Sequence, residues 1–86
     1  MSFSILSTIR QAAHAHKTLI IEYQPKDGST YEQREIEPFS FRPEGTTDRL
    51  MAWDVDKQGV RSFLMENIRS ARMTEHTFIP KYPIEL

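Results

Sequence analysis

The sequence contains no cysteine and no long apolar run, and both absences narrow what the protein can be. Without cysteine, neither disulfide bonds nor thiolate chemistry is available. The longest apolar stretch, TLII at residues 18–21, is far too short to cross a bilayer. The opening residues MSFSILSTIR lack the charged start and apolar block of a signal peptide, so we expect a cytoplasmic protein without membrane contact.

An excess of charge of one sign is also missing, since 11 Lys and Arg residues face 12 Asp and Glu residues and the net charge is −1. A basic field over the whole chain is therefore absent, and any site for an anion must be a local cluster. With 86 residues, 38% of them hydrophobic, the chain is sufficient for one small core. We expect a single domain over residues 1–78 and an extended C-terminal tail over residues 79–86.

The period of the hydrophobic pattern changes near residue 18, and this change predicts the fold class. Apolar residues near helical spacing predict a helix over about residues 4–17, with a stripe formed by Ile5, Leu6, Ile9, Ala12, Ala13 and His16. Alternation of period two then predicts five strands, at residues 18–24, 30–41, 49–55, 60–67 and 70–78. A small sheet can hide its edges by closing. We therefore predict a mainly β fold, a five-stranded antiparallel barrel of the Sm or SH3 type with an N-terminal helix.

The same alternation predicts the core and the irregular points of the sheet. The residues expected to face inward are Leu19, Ile21, Ile36, Leu50, Ala52, Phe63 and Ile68. Pro38 cannot donate to a strand ladder, so we expect a bend, a bulge or a sheet edge there. Asp27-Gly28 predicts a hairpin turn. DVDKQG at residues 54–59 resembles the start of a calcium-binding EF-hand loop but lacks its flanking helices and final Glu, so a hairpin turn is expected instead.

Several short motifs follow one another along the chain: Tyr23, Gly28, REIEP (34–38) followed by Phe39, LMAW (50–53), RSF (61–63) and Ile68. In this order they resemble the WYL domain, a family named for a Trp-Tyr-Leu triplet, and the resemblance covers roughly residues 9–78. The triplet itself is degenerate, because Asp48-Arg49-Leu50 stands in its place. Leu64 and Asn67 also stand where the family often has arginines.

The resemblance implies a function as well as a fold. WYL domains are similar to Sm folds, usually follow a helix-turn-helix in bacterial transcription regulators, and act there as sensors of nucleic acids or other anionic molecules. This chain has no room for a helix-turn-helix, so we expect it to work through a partner regulatory protein.

Arginines are the main candidates for a binding site. Arg34 and Arg61 match basic positions of the family, Arg49 stands where its Tyr would be, and a guanidinium fork suits phosphate. Alternation turns Arg34 and Arg61 inward near strand ends, so we predict that they meet at the barrel rim with Arg49 peripheral. Trp53 is a candidate stacking residue, with a place in the core as the alternative. The arginines can instead form solvated ion pairs with nearby carboxylates, namely Glu32, Glu35, Glu37, Asp48 and Asp54.

We therefore predict a ligand-sensing module that binds an anionic ligand, with a single-stranded nucleic acid as one candidate. An adaptor without its own ligand is the alternative, docking through a sheet edge or through the tail. Tyr82, Ile84 and Leu86 alternate in that tail as in an added strand, and exchange of the tail between copies would give a homodimer. No nucleophile and base are paired by sequence, so we expect no enzyme activity, no cofactor and no metal.

Overall fold

A computed structural model describes residues 4–25, 28, 30–45 and 47–86, and its first element is the helix α1 (Ile5–Ala15). The Ser4 hydroxyl begins the helix by accepting a 3.0 Å hydrogen bond from the Ser7 N–H. The helix ends at His16, whose φ of 54° is left-handed. His16 and Leu6 are exposed, so their predicted places in the apolar stripe are wrong. None of the helices in the described residues has the length and apolar character needed to cross a membrane.

Five antiparallel strands follow the helix and form one sheet in the order β4-β3-β2-β1-β5. Their bounds are β1 (Lys17–Tyr23), β2 (Glu32–Glu44), β3 (Thr47–Asp54), β4 (Gly59–Leu64) and β5 (Ile68–Thr77). A short 3₁₀ turn (Met65–Asn67) joins β4 to β5. The predicted class is therefore confirmed: a mainly β fold with five antiparallel strands and an N-terminal helix.

The sheet does not close into a barrel, which corrects the predicted architecture. Strands β4 and β5 occupy the two edges, and no ladder pairs them within the described ranges. The 3₁₀ turn takes the chain from one edge to the other, and the Gln24 N–H donates to the Asn67 carbonyl at 2.9 Å. That bond ties the turn to the end of β1. The sheet still curls around the core, since the rings of Tyr23 and Phe63 meet edge-on with centroids 4.9 Å apart.

The core lies inside the curl, with α1 packed against β1, β2 and β5. Every residue predicted to face inward is buried, each with at most 5% exposure: Leu19, Ile21, Ile36, Leu50, Ala52, Phe63 and Ile68. At the proline in β2, Pro38 is opposite Ala52 and Ser40 is opposite Met51, so Phe39 is the extra residue of a β-bulge. The bulge is one of the three outcomes predicted for Pro38.

The turn between β3 and β4 confirms that DVDKQG forms a hairpin. The Gln58 N–H donates to the Asp54 carbonyl at 2.8 Å, and Gln58 adopts a left-handed φ of 57°. The Asp54 side chain also holds the turn. The other predicted turn, at Asp27-Gly28, includes a residue that lies outside the described residues. Residues 79–86 form neither helix nor strand, so the added strand predicted from their alternation is not observed.

Candidate functional site

Period-two alternation brings Arg34, Asp54 and Arg61 to the same end of the core. Arg34 lies two residues before the buried Ile36, and Asp54 lies two residues after the buried Ala52. Arg61 is directly opposite Ala52 in the β3–β4 ladder, and Asp54 is opposite Ile36 in the β2–β3 ladder. All three side chains therefore project to the inner face of the sheet, where it opens at one end.

The centre of this cluster is a fully buried carboxylate. The Oδ2 atom of Asp54 lies 3.7 Å from Nε of Arg34 and 3.6 Å from Nη1 of Arg61. The Asp54 side chain has no exposed surface, whereas the side chains of Arg34 and Arg61 are 21% and 38% exposed. Both guanidinium groups thus lie beside a buried negative charge and are partly exposed at the same end of the core.

The carboxylate leaves much of the hydrogen-bonding capacity of the arginines unused. Both distances to Oδ2 exceed the usual N–H···O range of about 2.7–3.2 Å. Arg34 Nε and Asp54 Oδ2 are buried and have no hydrogen-bond partner. In the described part of the chain, no hydrogen bond engages the Arg61 guanidinium, which lies 5.7 Å from the centroid of the Phe63 ring. Arg61 can therefore offer its donors to an incoming anion.

Arg34 is held more firmly than Arg61. Its Nη2 donates to Glu32 Oε1 at 2.7 Å, and its Nη1 donates to the Gln33 carbonyl at 3.2 Å. With Glu32 included, two carboxylates balance the two guanidinium groups, so the cluster carries little net charge. Its affinity for an anion would have to come from the geometry of the donors, because long-range attraction is weak at a neutral cluster.

Asp54 has a second role, in the β3–β4 turn. Its Oδ1 accepts the backbone N–H groups of Asp56 and Lys57 at 3.0 and 3.1 Å. One carboxylate therefore joins the arginine pair to the turn. In the sequence, Asp54 is one of several acids near the arginines and the first residue of the predicted DVDKQG turn. The signal was available, because Leu50, Ala52 and Asp54 alternate inward and a carboxylate on a core face requires cationic or hydrogen-bonding partners.

The other two predicted site residues, Arg49 and Trp53, lie on the opposite, outer face of the sheet. Arg49 Nη1 donates to Ser62 Oγ at 3.1 Å. The Trp53 ring lies under the Lys81 ammonium, 4.9 Å from ring centroid to Nζ. The structure thus brings Arg34 and Arg61 together and places Arg49 and Trp53 on another surface.

A separate polar network joins β1, β2 and β5. The Thr18 hydroxyl donates to Glu35 Oε2 at 2.7 Å, and His76 Nδ1 lies 2.8 Å from the same oxygen. These two contacts lower the pKa of the Glu35 carboxyl below its ordinary value, and the hydrogen bond from Thr18 has the larger effect. Among the described residues, no group of three or more His, Asp or Glu side chains is arranged to hold a metal ion.

Comparisons with known proteins identify the fold and the family of the chain. Among solved structures, the fold is similar to proteasome accessory factor B/C (PafBC) of Arthrobacter aurescens, with a TM-score of 0.77 and 19% identity. The match covers 91% of this chain and 13% of that protein, so this chain spans a small part of its length. No curated protein sequence matches the chain at a significant level. The family model of the WYL domain matches residues 4–73, and the chain therefore belongs to the WYL domain family.

Proposed function

We propose that this WYL domain is a ligand-sensing regulatory module that takes up an anionic group at Arg34 and Arg61. The observation that carries the proposal is the approach of both guanidinium groups to one buried carboxylate at 3.6–3.7 Å without a hydrogen bond to it. Two neighbouring guanidinium groups can bind one phosphate or carboxylate through paired N–H donors. A nucleic-acid strand offers a series of phosphates. The site holds its ligand without catalysing a reaction.

The proposed signal passes through Asp54. An anion that bonds to the partly exposed guanidinium of Arg61 draws it away from Oδ2 of Asp54. The Oδ1 atom of the same carboxylate holds the N–H groups of the β3–β4 turn, so any shift of the side chain acts on that turn. A partner regulatory protein would sense the turn or the adjoining edge strand β4. The fold is similar to part of a protein that is named an accessory factor, and this similarity supports a role exercised together with a partner protein.

Fluorescence anisotropy with a labelled single-stranded oligonucleotide at low salt tests this proposal. We expect Arg34→Ala and Arg61→Ala each to weaken binding by about tenfold, which is about 1.4 kcal/mol. Arg72→Ala is the matched control, because this substitution removes the same charge from an exposed arginine of β5, opposite Ile20. Arg49→Ala should also weaken oligonucleotide binding less than Arg34→Ala or Arg61→Ala does. Absence of binding by the unaltered chain, or equal binding by all four variants, would reject the anion site.

An adaptor function is the second candidate, and the open sheet favours it. Among the described residues, strand β4 pairs only with β3, and its other backbone edge is available to a strand of a partner. Val60 on this strand is 40% exposed, which adds apolar surface beside the edge. In this case a partner strand binds at β4 whether or not an anion is present, so the anisotropy experiment separates the two candidates.

A further inference from the structure

Residues 79–86 follow β5, and Lys81, Tyr82 and Glu85 contact the outer face of β2 and β3. This segment contains the sequence Pro80-Lys81-Tyr82-Pro83 and forms no regular secondary structure. It rests on Glu37, Phe39 and Trp53, which together form a surface that we term the outer groove. Pro80, Lys81, Tyr82 and Ile84 of the segment line one small pocket together with these three residues.

Lys81 makes two contacts with the outer groove. Its Nζ lies 3.0 Å from Oε1 of Glu37, a carboxylate whose side chain is only 11% exposed. The same ammonium lies 4.9 Å from the centroid of the Trp53 ring, within the range of a cation–π interaction. The groove therefore combines an acidic group and an aromatic face at one position, and this combination selects a basic side chain.

Tyr82 and Glu85 both contact Phe39, and beyond them the Leu86 carbonyl oxygen lies within hydrogen-bond distance of His14 Nε2 on α1, where the Leu86 side chain packs against the core. The rings of Tyr82 and Phe39 stack with centroids 4.7 Å apart and an angle of 23°. The Glu85 N–H donates to the Phe39 carbonyl at 2.7 Å. Phe39 is the extra residue of the β2 bulge, outside the pairing between β2 and β3. The bulge thus makes a backbone acceptor available to an extended chain.

We infer that the outer groove is a recognition site for an extended, proline-containing peptide of a partner protein, and that residues 79–86 fill it in cis. Aromatic-lined grooves bind such segments well because proline limits the conformational entropy lost on binding. The chemistry required of the partner peptide is a lysine or arginine for Glu37 and Trp53, next to an aromatic residue for Phe39, with flanking prolines. This inference is independent of the proposed anion site on the inner face.

A partner peptide fits the observations better than the same segment of a second copy. The tethered segment has a high effective concentration at the groove, and an identical segment from another copy gains no contact by replacing it. Only a peptide with better contacts displaces it. Ile79 is 87% exposed and does not anchor the start of the segment, so a displacing peptide has to replace the contacts made by Lys81, Tyr82, Glu85 and Leu86.

The test is a binding experiment on the full chain with a fluorescein-labelled synthetic peptide of the sequence IPKYPIEL. Replacing both Lys81 and Tyr82 by Ala weakens the contacts of residues 79–86 with the outer groove and makes the groove accessible. We expect this double variant to bind the peptide at least tenfold more tightly than the unaltered chain does. Adding Glu37→Gln should reduce that binding at least tenfold, whereas adding Glu75→Gln, the same change at a side chain that is 92% exposed, should leave it unchanged. A peptide with Ala in place of its Lys and Tyr should not bind.

Equal affinity of the unaltered chain and the double variant, or no binding by the folded double variant, would overturn the inference. Circular dichroism establishes that the variant is folded, and the single variant Tyr82→Ala serves in its place if it is not. Light scattering supplies a further test. A doubled mass for the unaltered chain that reverts in the double variant would show that a second copy fills the groove, which contradicts the role assigned to a partner peptide.

Discussion

Arg61 and Asp54 face each other across the β3–β4 hairpin, with Nη1 of the arginine 3.6 Å from Oδ2 of a fully buried carboxylate. The pair is close enough for electrostatic attraction and too far apart for a strong hydrogen bond. A carboxylate inside a core is costly unless cations and donors compensate it, and here two arginines and two backbone N–H groups do so. The stability of this end of the domain and its capacity to bind an anion therefore depend on the same side chains.

Removing the Asp54 carboxylate should destabilise the domain strongly. Asp54→Ala deletes both bonds to the turn and leaves the buried Nε of Arg34 without its counter-charge, so we expect a loss of about 3–5 kcal/mol in the free energy of unfolding. Urea denaturation measures it. Asp56→Asn is the control, because Asp56 is exposed in the same turn, and its effect should stay within about 0.5 kcal/mol. An Asp54→Ala variant as stable as the unaltered chain would contradict the compensating role of the cluster.

Truncating Leu50 should cost about 2–5 kcal/mol of unfolding free energy, since Leu50 has no exposed surface and belongs to the central hydrophobic cluster. The matched control is Val60→Ala on the neighbouring strand, where the side chain is 40% exposed and the cost should be well below that. Thermal and urea denaturation of both variants provide the measurement. Similar costs for the two substitutions would mean that β3 does not place Leu50 in the core.

Acid should weaken the network around Glu35. Because the Thr18 hydroxyl and then His76 lower the pKa of Glu35 below its ordinary 4.5, the ionised carboxylate stabilises the fold above that value. This contribution is lost as the pH falls through the lowered pKa. Glu35→Gln should therefore be less stable than the unaltered chain at about pH 7, and the difference should shrink at about pH 3.

Glu75→Gln is the control for this experiment, because it removes a carboxylate whose side chain is 92% exposed. It should have a much smaller effect at neutral pH than Glu35→Gln. Denaturation curves recorded at both pH values for the three proteins supply the comparison. If the deficit of Glu35→Gln is the same at neutral and acidic pH, the Glu35 carboxylate is not the group that confers the pH dependence.

Much of the fold could be predicted from the sequence because one face of each strand is buried. Alternation identified Leu19, Ile36 and Leu50 as inward-facing, and it also placed Arg34 and Arg61 on that face. Barrel closure could not be predicted in this way. Whether the edge strands pair depends on the path of the short 3₁₀ turn and on its backbone bond to Gln24, and neither leaves a pattern in side-chain polarity. His16 was misplaced because helical spacing continues through a residue that has already left the helix.

The site was harder to predict than the fold, since its parts are joined by contacts between distant residues. Alternation indicates that Asp54 faces inward, but it does not show that one carboxylate serves both arginines and the turn. The contacts of residues 79–86 could not be predicted from the sequence either. Their pattern resembles a strand, whereas Tyr82 stacks on a residue that a bulge has displaced from the ladder.

The salt dependence of oligonucleotide binding tests the central claim most directly. A residue that contacts phosphate releases a counterion on binding, so its loss reduces the slope of log K against log salt by about one unit. We predict that Arg61→Ala reduces the slope in this way and that Arg72→Ala, which removes the same charge from an exposed position on β5, does not. Identical slopes for Arg61→Ala and the unaltered chain would show that the guanidinium beside Asp54 contacts no phosphate, and the anion site would be rejected.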